Sequence, residues 1–317
     1  MSQANPKDGI LLAGVPLSVT NPGKVFWVNN SGVLPKNGVT GTDASSRGTY
    51  LRPFATTDYA VGKCTASRGD VIMLMPGHAE TVSSANAIDV DVVGVAVVGL
   101  GAGSLIPKIS SSAAAGNLGL GAASTALYNI NFEANFADVT NLVIIKHNDC
   151  GIFNCKFTEA GTNLNHKNCI KVNSGINRST VDSCTFVGND AANDNCIMYA
   201  GSHVDSVITN NRFAFYTAQT TGEAQVEVTT DINNLFLAHN HFYSATAAVD
   251  NAFVTLAGTG NTGWAAHNYL KGVDTDATAA NILGSFDVTG LGCFENYAVM
   301  DVDALAVATF LTAEDLT

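Results

Sequence analysis

The stretch STVDSCTFVGND, residues 179–190, contains an aliphatic residue, two polar residues, a cysteine, one polar residue and a phenylalanine, in that order. The same order recurs in DCGIFNCKFTEA, residues 149–160, and in LFLAHNHFYSAT, residues 235–246, where asparagine replaces the cysteine. When the large residue serves as the anchor, six successive copies lie 29, 27, 29, 28 and 28 residues apart. Near-constant spacing of this length is typical of repeat architectures.

Equivalent positions in the copies form columns. The anchors are Phe157, Phe186, Phe213, Phe242, Leu270 and Ala298. Two positions earlier stand Cys155, Cys184, Asn211, Asn240, Asn268 and Asn296, and five positions earlier stand Ile152, Val181, Ile208, Leu237, Ala265 and Cys293. About half a period further on lie the short alternating segments CIKV (169–172), CIMY (196–199), VEVT (226–229), FVTL (253–256) and, less clearly, NILG (281–284).

These columns predict an all-β solenoid. Each period holds at least two short strands and cannot bury its apolar face alone, so it must stack on the next copy. Parallel stacking at roughly 4.8 Å per coil gives a β-helix. An asparagine at a bend satisfies backbone groups and bonds the asparagine of the next coil, which predicts a ladder. Cysteine fills the same position as a small buried side chain, and the anchor phenylalanines are expected to stack behind the ladder.

Composition supports this fold and excludes several functions. Of the 317 residues only 13 % are charged, roughly half the usual share. The net charge of −12, with 15 Lys and Arg, argues against nucleic-acid binding through a basic face. The start, MSQANPKDGI, predicts no signal peptide, and no apolar run is long enough to span a membrane. We therefore expect a protein made in a cytoplasm. Seven cysteines without CxxC pairs favour buried reduced thiols, and no cofactor is predicted.

The coil motifs VDSCTF, ITNNRF and LAHNHF resemble those of right-handed parallel β-helix proteins of the pectate-lyase-like superfamily. Upstream, GDVIMLMPGHAETV (69–82) and IDVDVVGVAVVGLGAGSLIPKI (88–109) resemble the opening coils of that fold, with a PG turn and a GxG bend. The resemblance covers residues 69–300 and implies the fold more than the function, because the superfamily contains lyases, hydrolases, tailspikes and passive virion parts.

The ends of the chain depart from the repeat. We predict an N-terminal arm or anchor at residues 1–60, a β-helix at 61–300 and a C-terminal cap at 301–317. Within the arm, FWVNNSG (26–32) is apolar enough to dock on a partner. The cap is expected to be a short amphipathic helix or a strand over the last coil. The segment SSAAAGNLGLGAAST (111–125) is predicted to leave the coil as an exposed loop.

No catalytic site is predicted. Hydrolysis of a polysaccharide needs two carboxylates a few ångström apart, yet Asp182 has Phe153 and Thr209 as column neighbours, and Glu295 follows a histidine. The column three residues before the anchors contains His239, His267 and Glu295, which could hold a divalent ion; the favoured interpretation is a stacked polar column. A nucleophilic cysteine is disfavoured because neither cysteine column has a histidine beside it on the same coil.

The combined pattern favours a structural protein of a bacteriophage virion. We expect a homotrimer of β-helices, a head decoration or fibre (spike) protein, whose residues 1–60 bind the major capsid protein or another virion protein. The alternative is a tailspike-type receptor-binding protein that binds or cleaves host surface polysaccharide. A plain enzyme outside any virion is the third hypothesis. No nucleic-acid or membrane partner is expected.

Overall fold

The computed structural model of the chain describes residues 11–12, 15–16, 23–30, 40–190, 192–216, 224–244, 252–273, 286–301 and 307–311. Nearly all of its regular structure is β, arranged in three long sheets that we name A, B and C. Sheet A contains ten strands: Val25–Val28, Val71–Leu74, Ala96–Gly99, Ala126–Tyr128, Gly151–Phe153, Thr180–Asp182, Val207–Thr209, Leu235–Ala238, Gly263–Ala266 and Gly292–Phe294.

Sheets B and C complete each coil. The strands of sheet B are Ala79–Val82, Lys108–Ser111, Asn131–Ala134, Lys156–Glu159, Thr185–Gly188, Arg212–Phe215, His241–Ser244, Tyr269–Val273, Asn296–Asp301 and Val307–Leu311. Those of sheet C are Ile88–Asp89, Leu118–Leu120, Val139–Ile145, His166–Val172, Asn195–Tyr199, Val226–Val228 and Val254–Leu256. The remaining described elements are the strand pairs Leu11–Leu12 with Val15–Pro16 and His203–Val204 with Ile232–Asn233, the α-helix Thr57–Val61 and the 3₁₀-helix Gly103–Leu105.

The predicted parallel β-helix is confirmed. From Val71 to Asp301, neighbouring strands within each sheet are one coil apart in the chain and run parallel, and the seven described coils between residues 71 and 256 each give a strand to all three sheets. The CIKV, CIMY, VEVT and FVTL segments pair in register in sheet C, with Ile170, Ile197, Val226 and Val254 as partners. The NILG segment lies outside the described residues.

The anchor residues form one aromatic stack in the core. Phe157, Phe186, Phe213 and Phe242 are register partners with centroids 4.8, 4.8 and 4.7 Å apart and nearly parallel rings. Phe132 extends the stack upstream, at 5.3 Å from Phe157. It was not predicted because only 25 residues separate these two, fewer than in the later coils.

The asparagine ladder is also confirmed. Asn211, Asn240, Asn268 and Asn296 are at most 1 % exposed, and each amide Nδ2 of the first three donates to the Oδ1 of the next, at 2.9–3.1 Å. Each of the four Nδ2 groups also donates to a backbone carbonyl of the preceding coil. Cys155 and Cys184 occupy the same column as buried free thiols. The ladder therefore satisfies backbone groups at the turn between sheets A and B.

The residue before each ladder position adopts the left-handed conformation. In chain order these are Asn129, Asn154, Ser183, Asn210, His239, His267 and Glu295, with φ between 47° and 58°. Asparagine tolerates this region better than most residues, whereas it is an uncommon conformation for glutamate. The polar residue that precedes the ladder residue in each repeat thus forms the turn between the strands of sheets A and B.

The prediction that residues 111–125 leave the coil is wrong. Leu118–Leu120 is a strand of sheet C, and Leu118 and Leu120 are fully buried. The small residues serve packing instead. Lys146 Nζ lies 3.0 Å from the carboxylate of Asp89, which belongs to the coil two before it, so the lysine side chain crosses the coil that contains Gly119. A Cβ at Gly119 would lie 2.7 Å from this Nζ, which explains the glycine.

Part of the predicted arm belongs to the stack. The strand Val25–Val28, which overlaps the start of FWVNNSG (26–32), pairs parallel with Val71–Leu74 and forms the first edge of sheet A. Phe54 and the helix Thr57–Val61 pack on the same core. The Glu80 carboxylate accepts hydrogen bonds from the N–H and hydroxyl of Thr57 at 3.0 and 2.6 Å. Residues 1–10, 13–14, 17–22 and 31–39 of the predicted arm lie outside the described residues.

At the other end, Val307–Leu311 pairs antiparallel with Asn296–Asp301. Of the two alternatives for the cap, residues 307–311 therefore form the strand, which closes the last edge of sheet B. Residues 302–306 and 312–317 of the predicted cap are not among those described. In the described part of the chain, no helix has the length and apolar character needed to cross a bilayer.

Candidate functional site

The main surface feature is an aromatic ridge at the turn between sheets A and B in the last coils. Its sheet A flank carries Phe236, Trp264 and Phe294, which are 42, 58 and 54 % exposed. Its crest is the left-handed column His239, His267 and Glu295, and its sheet B flank carries His241, Tyr269 and Tyr297. We call these nine residues the C-terminal ridge. Such a concentration of exposed rings is typical of interaction sites.

The flanks of the same turn are different in the earlier coils. The partners of Phe236 and Trp264 upstream are Ala96, Ala126, Gly151, Thr180 and Val207. The upstream partners of His241 and Tyr269 are Lys108, Asn131, Lys156, Thr185 and Arg212. The columns of Phe236 and Tyr269 thus change from small or polar residues to rings in the last coils, whereas the column of Phe294 already holds the stacked rings of Tyr128 and Phe153 upstream. A solenoid needs only repetition, so the fold itself does not require this change at the Phe236 and Tyr269 columns.

The crest is a stacked column. The rings of His239 and His267 lie 4.8 Å apart and 10° from parallel, and His267 Nδ1 is 3.1 Å from Glu295 Oε2. The ring of Phe294 meets His267 edge to face at 5.5 Å. The predicted stacked polar column of His239, His267 and Glu295 is therefore present in the structure. Parallel imidazoles do not converge on one ion, and the described residues contain no group of three His, Cys, Asp or Glu that could hold a metal.

None of the described strands pairs one carboxylate with another on the neighbouring coil. Asp182 lies between Phe153 and Thr209, as expected. Burial acts to raise the pKa of Asp182, but hydrogen bonds from Thr209, Asn210 and Ser183 outweigh it and hold the pKa below its usual value. An acid that donates a proton to a leaving group needs the opposite shift. Asp182 is therefore a stable carboxylate that ties the turns of two coils together.

A buried cluster at the corner between sheets B and C was not predicted. His166 Nε2 lies 3.3 Å from Cys169 Sγ and 3.9 Å from Glu159 Oε1, and all three side chains are at most 1 % exposed. Glu159 also accepts hydrogen bonds from Asn193 Nδ2 at 2.5 Å and from Asn189 N at 2.9 Å. The expectation that neither cysteine column has a histidine nearby on the same coil is therefore wrong for Cys169.

This cluster stays uncharged near pH 5.5 because of its burial. Burial raises the pKa of Glu159 to about 7 against the effect of its hydrogen bonds, and it lowers the pKa of His166 to about 4. Burial, with the neighbouring Cys196, raises the pKa of the Cys169 thiol well above its ordinary value. A buried, protonated thiol is a poor nucleophile. The cluster of Cys169, His166 and Glu159 therefore has a structural role, and Glu159 and His166 are its groups that bind or release protons as the pH changes.

Stability should fall with rising pH because of Glu159. Its folded-state pKa of about 7 exceeds the ordinary value of 4.5, so its contribution is fully present below pH 4.5 and is lost as pH rises through 7. The difference corresponds to about 3 kcal/mol at most. We expect Glu159→Gln to remove this loss, measured by urea unfolding at pH 4.5, 6 and 8. Equal pH slopes for the variant and the wild type would contradict the assignment.

His166 should have the opposite effect. Because burial lowers its pKa to about 4, its contribution is present above pH 6.5 and is lost as pH falls through 4. His166→Gln is therefore expected to reduce the loss of stability between pH 6.5 and pH 4. The loss of stability as pH rises through 7, which Glu159 causes, should remain unchanged. An acid limb unchanged by this variant would show that other groups cause it.

A second surface feature is a cleft of about 380 Å³ on the outer face of sheet B near the first coils. Lys108, Asn131, Glu133 and Lys156 line it. Lys108 Nζ lies 3.0 Å from Glu133 Oε1, and Ser110 donates to the same carboxylate at 2.8 Å. Much of the polar lining is thus already paired within the protein, which leaves the ridge as the stronger candidate.

Comparisons with protein-family models, with curated proteins and with solved structures give no match for this chain. The structure therefore confirms the parallel β-solenoid, and the comparisons assign no family to it.

Proposed function

We propose that this chain is a structural protein of a bacteriophage virion, a trimeric head decoration or fibre protein whose N-terminal segment binds the capsid or another virion protein. The observation that carries the proposal is a rigid parallel β-helix whose most distinctive described surface is an aromatic ridge. The described strands of neighbouring coils do not set one carboxylate opposite another. Such a molecule acts by binding rather than by catalysis.

The N-terminal segment supports the same proposal. Residues 23–30 and 40–61 pack against the first coil, where the Thr57 hydroxyl donates to Glu80 and the backbone N–H of Asn30 donates to His78 Nδ1. Any anchor located in residues 1–60 is therefore joined to the N-terminal end of the solenoid, whereas the ridge lies in its last coils. This arrangement suits a protein that is fixed at one end and presents a surface at the other.

Particle composition tests the proposal. Quantitative mass spectrometry of purified particles should find the chain in many copies, and electron cryomicroscopy should place its density at symmetric positions on the head, with the ridge end pointing away. Absence of the chain from purified particles would overturn the virion proposal. Density at the tail alone would favour the alternative below.

A tailspike-type receptor-binding protein is the second candidate, because rings such as Trp264 and Phe294 are also suited to stacking on sugars. It predicts that the purified chain binds host surface polysaccharide, and that reducing ends are released if the chain is also a hydrolase. We expect no release, since Glu295 is paired with His267 and none of the described strands pairs one carboxylate with another on the neighbouring coil.

A further inference from the structure

We propose that the cleft on sheet B binds a small molecule through a tetrahedral oxyanion, a phosphate or a sulfate group. The cleft lies in the first coils and the C-terminal ridge in the last, so this site is independent of the proposed function. Its volume of about 380 Å³ falls within the range of about 300–1,000 Å³ that is usual for ligand pockets. Its wall, its row of donors and its charge all point to such a ligand.

The wall of the cleft is an exceptionally long connection between two sheets. Eight residues, 100–107, connect sheet A to sheet B in the coil that begins at Ala96, whereas one or two residues make the same connection in every described coil after it. We call residues 100–107 the long turn. Because later coils close this corner with two residues or fewer, the fold does not require the others. The long turn lines the cleft with Gly103, Ser104 and Ile106.

The long turn is held from both sides. In the preceding coil, the backbone N–H of Gly77 donates to Leu105 O at 2.8 Å. In the following coil, the Asn129 side chain donates to Gly99 O at 2.8 Å and to Gly101 O at 3.1 Å. A wall fixed in this way does not have to be ordered when a ligand binds, which lowers the entropic cost of binding.

The floor of the cleft is a row of donors on the outer face of sheet B. Lys108, Asn131 and Lys156 are register partners on three successive strands, so their side chains leave the same face about 4.8 Å apart. Asn131 Oδ1 accepts from the Thr158 hydroxyl at 3.1 Å, which orients the amide and leaves its Nδ2 without a partner among the described residues. Lysine side chains are long enough to meet over this amide, so three donor groups can reach one ligand group.

The cleft also has an excess of positive charge. Its lining contains two lysines and one glutamate, in a chain of net charge −12. Glu133 neutralises Lys108, whose Nζ lies 3.0 Å from its Oε1. Lys156 forms no ion pair within the described part of the chain. Both ring nitrogens of His78 are bonded within the protein, to a backbone N–H and to the Glu80 carboxylate. One cation is therefore left for an anionic ligand.

The type of donor selects the shape of the anion. A planar carboxylate is matched best by the fork of an arginine, and the described lining contains no arginine. Lysine acts as a point charge and is a common ligand of phosphate, whose oxygens accept from several directions, and sulfate has the same shape. The cleft is more than ten times the roughly 30 Å³ that a water molecule occupies, and Ile106 adds apolar lining. The oxyanion is therefore expected to belong to a small organic molecule.

Equilibrium dialysis of the full chain tests the site at constant ionic strength, with inorganic phosphate, inorganic sulfate, glycerol phosphate and acetate as separate probes. We expect about one phosphate or sulfate per chain, with a dissociation constant on the order of 1 mM. Acetate should bind at least about tenfold more weakly, and glycerol phosphate more tightly than phosphate. Binding of phosphate alone or of sulfate alone supports the site and identifies the group that the natural ligand carries.

Three results of the dialysis would contradict the proposal. If neither inorganic anion binds at concentrations about twentyfold higher than 1 mM, or if acetate binds as well as they do, the oxyanion site is overturned. If glycerol phosphate is excluded while phosphate binds, the cleft accepts only a free ion, which overturns the small-molecule ligand.

Variants locate the site. Lys156→Met should raise the dissociation constant for phosphate about tenfold or more, because a hydrogen bond to a charged group is lost. Asn131→Asp keeps the acceptor for the Thr158 hydroxyl but places a second carboxylate beside the ligand, and should abolish binding. Lys171→Met is the matched control, because it removes the same charge from sheet C, next to Met198 in the register. It should bind phosphate like wild type, and circular dichroism checks folding. Equal losses for the two lysine variants would show that net charge alone attracts the anion and would overturn the site.

Discussion

Replacing Asn240 by alanine is expected to lower the free energy of unfolding by about 4 kcal/mol. Four buried groups would each lose a hydrogen bond, and leaving a single such group unsatisfied costs about 1–3 kcal/mol. The side-chain Oδ1 of Asn240 accepts from the backbone N–H and the Nδ2 of Asn211, and its Nδ2 donates to Ile208 O and Asn268 Oδ1. The site is fully buried, so water cannot replace these bonds.

Two further variants make the test specific. Asn240→Cys should cost less than Asn240→Ala, because Cys184 holds the same column position and directs its Sγ to the equivalent carbonyl of Ile152. Asn233→Ala, at an exposed strand position, should change stability by less than about 0.5 kcal/mol. Chemical denaturation with far-ultraviolet circular dichroism measures all three. Equal small effects at Asn240 and Asn233 would show that the ladder adds little.

Phe213→Ala is expected to cost about 4 kcal/mol, within the range for truncation of a large buried ring. Phe213 is fully buried and stacks on Phe186 at 4.8 Å and on Phe242 at 4.7 Å, so its removal leaves a cavity between two coils. Because each coil contacts only its neighbours, the loss weakens both interfaces of that coil.

Phe213→Leu should cost clearly less, since Leu270 occupies the same column two coils further on. Phe136→Ala, whose ring is 44 % exposed, is the control and should be nearly neutral. Thermal and urea unfolding report the differences. A cost for Phe213→Ala no larger than that for Phe136→Ala would contradict the aromatic stack.

The repeat made the fold predictable in the later coils but less so in the earlier ones. From Phe157 onward the spacing is almost constant, and the predicted columns coincide with the register of sheets A, B and C. Upstream, shorter coils shift the phase, which hid Phe132. The small residues of segment 111–125 predict a loop, because composition alone does not reveal that Lys146 and Asp89 pack across its strand.

The candidate sites were harder to predict for physical reasons. The cluster of Glu159, His166 and Cys169 depends on a break in alternation, since Asn168, Cys169 and Ile170 are all buried in succession. A period of two cannot show that His166 and Cys169 both point inward. The ridge did have a signal: Phe236 and Trp264 directly precede the aliphatic column residues Leu237 and Ala265, and so face outward.

Electron density for residues 151–298 tests the central claim most directly. The account predicts parallel coils about 4.8 Å apart, with the amides of Asn211, Asn240, Asn268 and Asn296 stacked in one column behind which the rings of Phe157, Phe186, Phe213 and Phe242 lie face to face. A map in which these asparagines are dispersed, or in which consecutive repeats pair antiparallel, would contradict it.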